Sequence, residues 1–307
     1  MTDLAVFYEH PAWFRPLFAA LDRRGLDWRP IAIQDHTFDP GEVVPPASVI
    51  FNRLAMSSFV RQGEHALAYM VAALDHWQGL GARVINGVAP LSIDLSKARQ
   101  LNLFRRAGLS VPATRIAHRL VDVSRLAGEI GFPVMVKVNV GGSGTGMARY
   151  DHPDQLSDAL RDGLVAASVD QVVLVQAYLP PRDGAVIRCE TLAGRFLYAI
   201  ALRGAGTSFD LCPADVCLAD RPAIQVSAFE PPADIIAGVE RVARLAGLDV
   251  GGVEYLVDDQ DGKAKFYDFN ALSNFVANPL EVLGFDPHDN LVDFLVSEVT
   301  ASARAAA

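Results

Sequence analysis

Apolar residues fall along the chain in two rhythms, short unbroken runs and longer stretches with helical spacing. Leu4–Tyr8, Trp28–Ile33, Ala47–Phe51 and Ala82–Ile85 read as short buried strands. Pro11 to Arg24 and His65 to Leu80 read as helices between them, the first stopped by Gly25. Strands alternating with helices predict a parallel sheet built through crossovers. Ligands of such sheets gather at the carboxyl ends of the strands, which points to Tyr8–His10, Arg53 and Asn86. Loops favour the same residue types for turns and caps, so placement alone assigns them no chemistry.

The pattern changes after residue 92. A helix is expected from Asp94 to Ala107, with Asp94 as its N-cap and Gly108 as its stop. Val123–Ile130 is a second helix, Phe132–Val138 a strand, Gly141–Gly146 a glycine-rich segment and 154–167 another helix. Val172–Tyr178 is a strand running into Pro180-Pro181. Ala185–Thr191 and Phe196–Arg203 suggest a hairpin through Ala193-Gly194. Residues 233–246 form an amphipathic helix with Ile235, Ile236, Val239, Val242, Ala243 and Ala246 on one stripe. Two strands follow, Gly252–Asp258 and Lys263–Asn270, and the tail from Thr300 to Ala307 reads as frayed. No internal repeat is seen.

With 307 residues, 51% hydrophobic and 21% charged, the chain can bury two or three packed modules. A net charge of -9 argues against a nucleic-acid partner. Three cysteines, Cys189, Cys212 and Cys217, form neither a disulfide framework nor a four-thiolate metal site. Met1 to Phe7 lacks a basic region and a long apolar run, and no window of about 18 apolar residues occurs, so neither a signal peptide nor a membrane span is expected. A soluble cytoplasmic enzyme is the resulting expectation.

The glycine segment invites a phosphate reading, because backbone N–H groups free of side chains can point at anionic oxygens. It is not a Walker loop, since Gly146 is followed by Met147-Ala148 where Lys and Ser/Thr are needed. It is not a dinucleotide fingerprint either, since Ala148-Arg149-Tyr150 reads as extended and Pro153 delays the next helix. A strand, a glycine hairpin and a second strand remain, which could fold over phosphates as a lid. Lys137 interrupts the apolar strand before the loop, on the face of Met135 and Asn139. Burying a lysine is costly without an anionic partner, and a phosphate would supply one.

A sharper constellation lies near the end. With a loop at 259–263, 258 faces 264 and Glu254 faces Asp268, with Asn270 on the same face. Like charges directly opposite one another repel. A divalent cation resolves the conflict through carboxylate and carbonyl oxygens. No Cys or His joins the set, which disfavours zinc.

The order of these parts resembles the ATP-grasp ligases, in the RimK-like and glutathione-synthetase-like branch. The resemblance rests on Asp94-Leu-Ser-Lys97, Leu103 to Pro112, Phe132-Pro-Val-Met-Val-Lys137, Gly141–Gly146, Val173 to Leu179, Ile187-Arg188, Ala199 to Arg203 and the Glu254/Asp268/Asn270 set. It implies an α/β (α+β) ATP-grasp fold: an N-terminal unit over 1–92, a central subdomain over 93–178, a C-terminal subdomain over 179–300 and a tail over 301–307. It also implies a site. Lys97, Lys137, Gly142, Ser143, Gly144 and Gln176 would hold ATP, with the hinge Ala177, Tyr178 and Leu179 on adenine and Asp183 on ribose. Glu254, Asp268 and Asn270 would hold Mg2+ or Mn2+. Arg203 and Arg188 would act on the reacting groups. The substrates implied are a small carboxylate and an amine, amino acid or peptide, joined through an acylphosphate, with no nucleic acid or membrane partner; a homo-oligomer is compatible with this.

The sequence departs from the family pattern at named positions. The carboxylate order is Glu254 then Asp268, the reverse of the usual pair. Val186 replaces the acid before Ile187-Arg188, Ala177 replaces the hinge acid, and Asp210 replaces an asparagine. An ATP-binding protein without ligase activity is the alternative that these departures motivate. A dinucleotide oxidoreductase is argued against by the absent helix after Gly146.

Overall fold

The computed structural model describes residues 2–63, 65–142, 144, 146–204 and 224–305. Ser143, Asp210, Cys212 and Cys217 lie outside the described residues. Three sheets organise the chain.

The first holds β1 (Thr2–Tyr8), β2 (Trp28–Ala32), β3 (Ala47–Arg53) and β4 (Arg83–Ile85) in the order β2-β1-β3-β4. All three pairings are parallel. Helices α1 (Arg15–Arg24), α2 (Ser58–Gln62) and α3 (His65–Gly79) connect the strands. Because β1 lies between β2 and β3, the winding direction reverses there, and a crevice opens at the carboxyl ends of β1 and β3. Tyr8 pairs with Arg53 at that edge.

Two helices lead out of this unit, α4 (Val88–Asp94) and α5 (Lys97–Arg106). Asp94 therefore closes α4 rather than capping α5, contrary to the expectation from sequence. Ser96 is the N-cap of α5, its hydroxyl accepting from Arg99 N–H at 3.3 Å. Serine caps as well as aspartate does, so local preference alone does not choose between two residues two positions apart.

The second sheet is antiparallel, ordered β5-β8-β6-β7, from β5 (Thr114–Ala117), β6 (Val134–Val138), β7 (Met147–Tyr150) and β8 (Val173–Ala177). Helices α6 (Val123–Ile130) and α7 (Pro153–Arg161) pack on its outer face around Val123, Leu126, Leu156 and Val175. Helix α7 stops at Arg161, short of the expected 167, because Gly163 turns left-handed at φ 68°.

The third sheet is antiparallel, ordered β11-β10-β9-β12-β13. It contains β9 (Pro181–Leu192), β10 (Arg195–Arg203), β11 (Gln225–Phe229), β12 (Val250–Asp258) and β13 (Ala264–Asn270). Ala193 and Gly194, at φ 51° and 72°, form the β9–β10 turn, the pair of positive dihedrals that matches strand twist. One face of this sheet packs on α5 and α8 (Ala233–Ala246) through Phe104, Val239, Val242, Val253 and Phe269. The other face packs on the first unit through Tyr198, Ile200 and Leu202 against Leu4, Val6 and Phe14.

After the short α9 (Pro279–Val282), helix α10 (Pro287–Ala305) returns to that same core through Leu291, Val292 and Leu295. The tail expected to fray from Thr300 is helical as far as Ala305. Alanine-rich composition favours this, and Arg83 of β4 anchors the helix by donating to Glu298 at 2.6 Å.

Asn86 locks the first unit onto the third sheet. It is fully buried at φ 52°. Its Oδ1 accepts from the N–H groups of Asp249 and Val250, both at 3.1 Å, and its Nδ2 donates to the carbonyls of Val250 and Ala271. Asn86 is thus a structural joint, not a site residue as its position at a strand end had suggested. Asn86→Ala should strand these four backbone groups in a buried seam and cost about 3 kcal/mol, since each orphaned group costs about 1–3 kcal/mol before relaxation. Urea unfolding of the variant against wild type checks this.

Candidate active site

The hairpin β12–β13 sets opposing carboxylates. Glu254 pairs with Asp268, as the sequence register requires. The pairing then slips: Tyr255 faces Phe266 and Val257 faces Ala264, in place of the expected 258–264 pair. Tyr267 is the extra residue of a bulge. Regular alternation would turn Tyr267 away from Asp268; the bulge lets Phe266 and Phe269 both enter the core while Tyr267 reaches the site. The Tyr267 hydroxyl donates to Glu254 Oε2 at 3.2 Å.

Three cations answer the carboxylates. Lys97 Nζ donates to Asp268 Oδ1. Arg188, opposite Glu254 on β9, donates to Glu254 Oε1 at 3.2 Å and to Glu190 Oε1 at 2.5 Å. Gly252 makes room for this pair, since a Cβ there would stand 3.1 Å from Arg188 Nε and Glu190 Oε1. Lys137 lies 5.3 Å from the Tyr267 ring centroid and donates to Gln176 Oε1 at 2.7 Å. Asn270 Nδ2 donates to Asp268 Oδ2 at 3.1 Å.

Burial and crowding set the protonation. Burial pushes the Glu254 carboxyl up, and the Asp268 charge opposite adds to this. Burial would lower the Lys97 ammonium, but the adjacent Asp268, with the Asp94 and Glu254 charges, together make the net shift upward. Burial, with the Lys97 charge second, pushes Lys137 down to about 8. An apparatus whose charges are held at this cost is typical of functional sites.

One residue positions both lysines. Asn139, just beyond β6, accepts at Oδ1 from Ala98 N–H at 3.0 Å and from Ser96 Oγ at 3.1 Å. Its carbonyl accepts from Lys97 N–H at 3.1 Å, and its Nδ2 donates to Asp170 at 2.6 Å. The start of α5 is thereby tied to the strand that carries Lys137. Gln100 holds the other side, its Oε1 accepting from Phe269 N–H at 3.2 Å.

The remaining expected residues are arranged differently. Ala177 N–H donates to Ala113 O at 2.8 Å and Tyr178 N–H to Pro133 O at 3.0 Å, so those two donors are occupied. Leu179 N–H has no backbone acceptor among the described residues. The Tyr178 ring carries the Arg149 guanidinium, 3.9 Å from its centroid. Asp183 is exposed near the start of β9, where it and Gly184 have left-handed φ values of 53° and 63°. Gly142 lies against Ser57 at the start of α2, and Gly144 has φ 72°. Arg203 ends β10 on the face of Ala199 and Ala201, the side opposite Arg188, so it is not part of the cluster.

Residues 95–210 match the RimK-like ATP-grasp domain. The chain shows similarity beyond that match. It is 28% identical to the D-alanine--D-alanine ligase of Alcanivorax borkumensis over 230 residues, 71% of this chain and 67% of that one. It is 29% identical to the ribosomal protein bS6--L-glutamate ligase of Escherichia coli over 197 residues, 64% of this chain and 62% of that one. The ATP-grasp ligase PsnB, solved with a phosphomimetic variant of a minimal precursor, Mg and ADP, superposes with a TM-score of 0.72 at 19% identity, covering 97% of this chain and 100% of that one. The ATP-grasp fold therefore accounts for all three sheets. Among the described residues no helix is long and apolar enough to cross a membrane.

Sequence reasoning gave no site role to several residues that shape this cluster: Asp94, Asn139, Tyr267, Glu190 and Gln100. Only the polar interruption of buried strands could have flagged Asn139 and Glu190. Asp94 is 6% exposed and accepts from Ala271 N–H at 2.8 Å. Burial pushes its carboxyl up to about 7 from 3.8; the Ala271 bond and the Lys97 and Arg188 charges only partly oppose this, and the Asp268 charge adds to it. A raised folded value means that the folded state holds the proton longer, so Asp94 stabilises fully below pH 4 and loses this contribution as pH rises through 7. In the nucleotide-free protein, Asp94→Asn should gain on wild type by roughly 2 to 3 kcal/mol between pH 5 and pH 8, because each tenfold difference in proton affinity between folded and unfolded chain is worth about 1.4 kcal/mol. Urea titrations of both proteins at the two pH values measure it.

Proposed function

We propose that this protein is an ATP-dependent carboxylate–amine ligase that activates its acid as an acylphosphate and releases ADP and phosphate. The observation that carries the reading is the convergence of Lys97 and Lys137, from the α5 start and the second sheet, on the Glu254–Asp268 pair of the third. Two carboxylates and an amide facing one another suit a hard divalent cation. Among the described residues no group of three His, Cys, Asp or Glu gathers, so the amide of Asn270 would complete the donor set. Glu254, Asp268 and Asn270 would hold Mg2+, which when bound neutralises phosphate charge.

The protein's own residues supply the rest. Lys97 exchanges its Asp268 partner for phosphate oxygens, and Lys137 presents a buried ammonium held by Gln176. The glycine segment around Gly142 and Gly144 covers the phosphates and excludes water, which would otherwise hydrolyse the acylphosphate. Leu179 N–H offers adenine a backbone donor, and Asp183 is the candidate for ribose. Arg188 steadies the developing charge at the acyl carbon; Arg203, on the opposite face of the sheet, takes no part in this arrangement. The relatives carry ligase names, D-alanine--D-alanine ligase and ribosomal protein bS6--L-glutamate ligase, which supports an amino acid or peptide as substrate. Phosphoryl transfer asks mainly for alignment and charge neutralisation, and this site offers both.

Incubation with ATP, Mg2+ and a panel of amino acids and dipeptides should release ADP and phosphate only when acid and amine are both present. Release of AMP and pyrophosphate would rule the acylphosphate route out. Asp268→Ala should cut turnover at least a hundredfold; a protein that only binds ATP has no turnover to lose. Lys137→Met should weaken ATP binding at least tenfold, read by calorimetry, while the melting temperature stays within a few degrees. A melting temperature that falls in step with affinity would make Lys137 structural.

A further inference from the structure

Tyr267 is an aromatic residue set among charges. Among the described residues Phe266 and Phe269 join the apolar core beneath the third sheet, whereas Tyr267 joins no apolar core. It stays half-buried at the open side of the hairpin. It gets there only through the extra residue of β13, where the register slips between Glu254 and Tyr255. Bulges next to active sites commonly re-aim a side chain in this way. A ring of this size ordinarily contributes its apolar area to a core, so its place outside one calls for another reason.

Two contacts supply that reason. The Tyr267 hydroxyl donates to Glu254 Oε2 at 3.2 Å, and Arg188 donates to Oε1 of the same carboxylate at 3.2 Å. Glu254 is therefore held at both oxygens. Each carboxylate oxygen carries two lone pairs, so one on each stays open. A carboxylate free to turn offers its lone pairs in many directions; one held from two sides offers the remainder in one direction. Arg188 is the less dedicated hold, because it also donates to Glu190 Oε1 at 2.5 Å, the shorter of its two bonds. The second contact is with the ring. Lys137 Nζ stands over it, 5.3 Å from the centroid, while donating to Gln176 Oε1 at 2.7 Å. An ammonium over a phenol ring is attracted by the negative face of the ring. Lys137 belongs to the second sheet and Glu254 to the third, and Tyr267 touches both.

We propose that Tyr267 is a positioning residue for the divalent cation, its hydroxyl fixing the Glu254 carboxylate for ligation and its ring fixing Lys137, so that one side chain sets both the metal ligand and the phosphate-binding charge. The inference rests on the reading of Glu254, Asp268 and Asn270 as metal ligands and of Lys137 as a phosphate ligand. Tyr267 itself touches neither the metal nor the reacting atoms in this role. Hydrogen-bond partners of metal ligands change metal affinity by roughly 10- to 100-fold when removed. The two contacts are separable by substitution. Loss of the hydroxyl alone releases Glu254 and leaves the ring beneath Lys137; loss of the ring releases both.

Isothermal titration of the full chain with ADP, in EDTA and over a series of Mg2+ concentrations, separates metal from nucleotide. In the wild type Mg2+ should strengthen ADP binding. Tyr267→Phe should raise the Mg2+ concentration that gives half of this gain about tenfold. Its ADP affinity in EDTA should stay within twofold of wild type, with an unchanged circular dichroism spectrum. Tyr267→Leu should show the same metal shift and, because Lys137 loses its ring, bind ADP about threefold more weakly in EDTA as well. A Mg2+ requirement that Tyr267→Phe leaves within twofold of wild type overturns the inference. So does an ADP affinity that falls by the same factor with and without Mg2+, which would make Tyr267 a nucleotide contact or a structural residue. In both cases a wild type whose ADP binding is strengthened by Mg2+ leaves the ligase reading standing. A wild type that binds no ADP, or gains nothing from Mg2+, overturns both. The expected Mg2+ shift in a chain that turns over no acid and amine keeps the inference and sinks the ligase reading.

Discussion

Two carboxylates placed directly opposite one another on neighbouring strands repel, and the middle of this molecule is arranged around that repulsion. Glu254 and Asp268 are half-buried, their side chains 15% and 19% exposed, so water screens them only in part. Each is therefore given its own cation, Arg188 from the adjacent strand and Lys97 from the first turn of a helix in another layer. The requirement reaches outward. Gly252 has to lack a side chain for Arg188 to fit, Ser96 and Asn139 have to fix the start of α5 for Lys97 to arrive, and the bulge at Tyr267 has to turn a phenol toward Glu254. In the proposed ligase reaction, a divalent cation and a nucleotide would relieve the same repulsion and free Lys97 for phosphate.

The seam against the first unit shows a second level of the same logic. Its apolar part is ordinary packing, Ile200 and Leu202 against Leu4, Val6 and Phe14. Its polar part divides into a satisfied half and an unsatisfied half. Asn86 has all its amide groups paired with backbone and serves as a joint. Arg53 and Glu190 are equally buried but keep open valences. Fully paired polar groups in a seam rigidify it, whereas half-paired ones cost stability.

Much of the architecture was legible in the chain. Continuous apolar runs marked the parallel strands, since a strand covered on both faces needs no polar alternation. Helix Ala233–Ala246 was readable to the residue from its stripe. The opposition of Glu254 and Asp268 followed from period two and the turn between the strands. Where the reading failed, two local rules competed. Asp94 and Ser96 are equally good caps, and the chain between Gly87 and Leu95 carried enough apolar residues to make a helix of its own. The C-terminal residues looked too simple to be ordered, yet Leu291, Val292 and Leu295 dock α10 and the alanines simply continue it. The bulge could not be read at all, because no residue type demands it; it follows from Phe266 and Phe269 both needing the core.

What the sequence determined alone was periodicity and chemistry: which segments are strands or helices, which strand carries a lysine, which hairpin carries two acids and an amide. These depend on interactions within a dozen residues, and local physics settles them. What only the tertiary structure decided was partnership. Lys97 meets Asp268 across 171 residues of chain, and Arg53 reaches Ser273 across 220. Whether a buried charge is paired, shared or left open depends on which distant element is packed beside it, and burial, which sets what an open charge costs, exists only once the layers have closed.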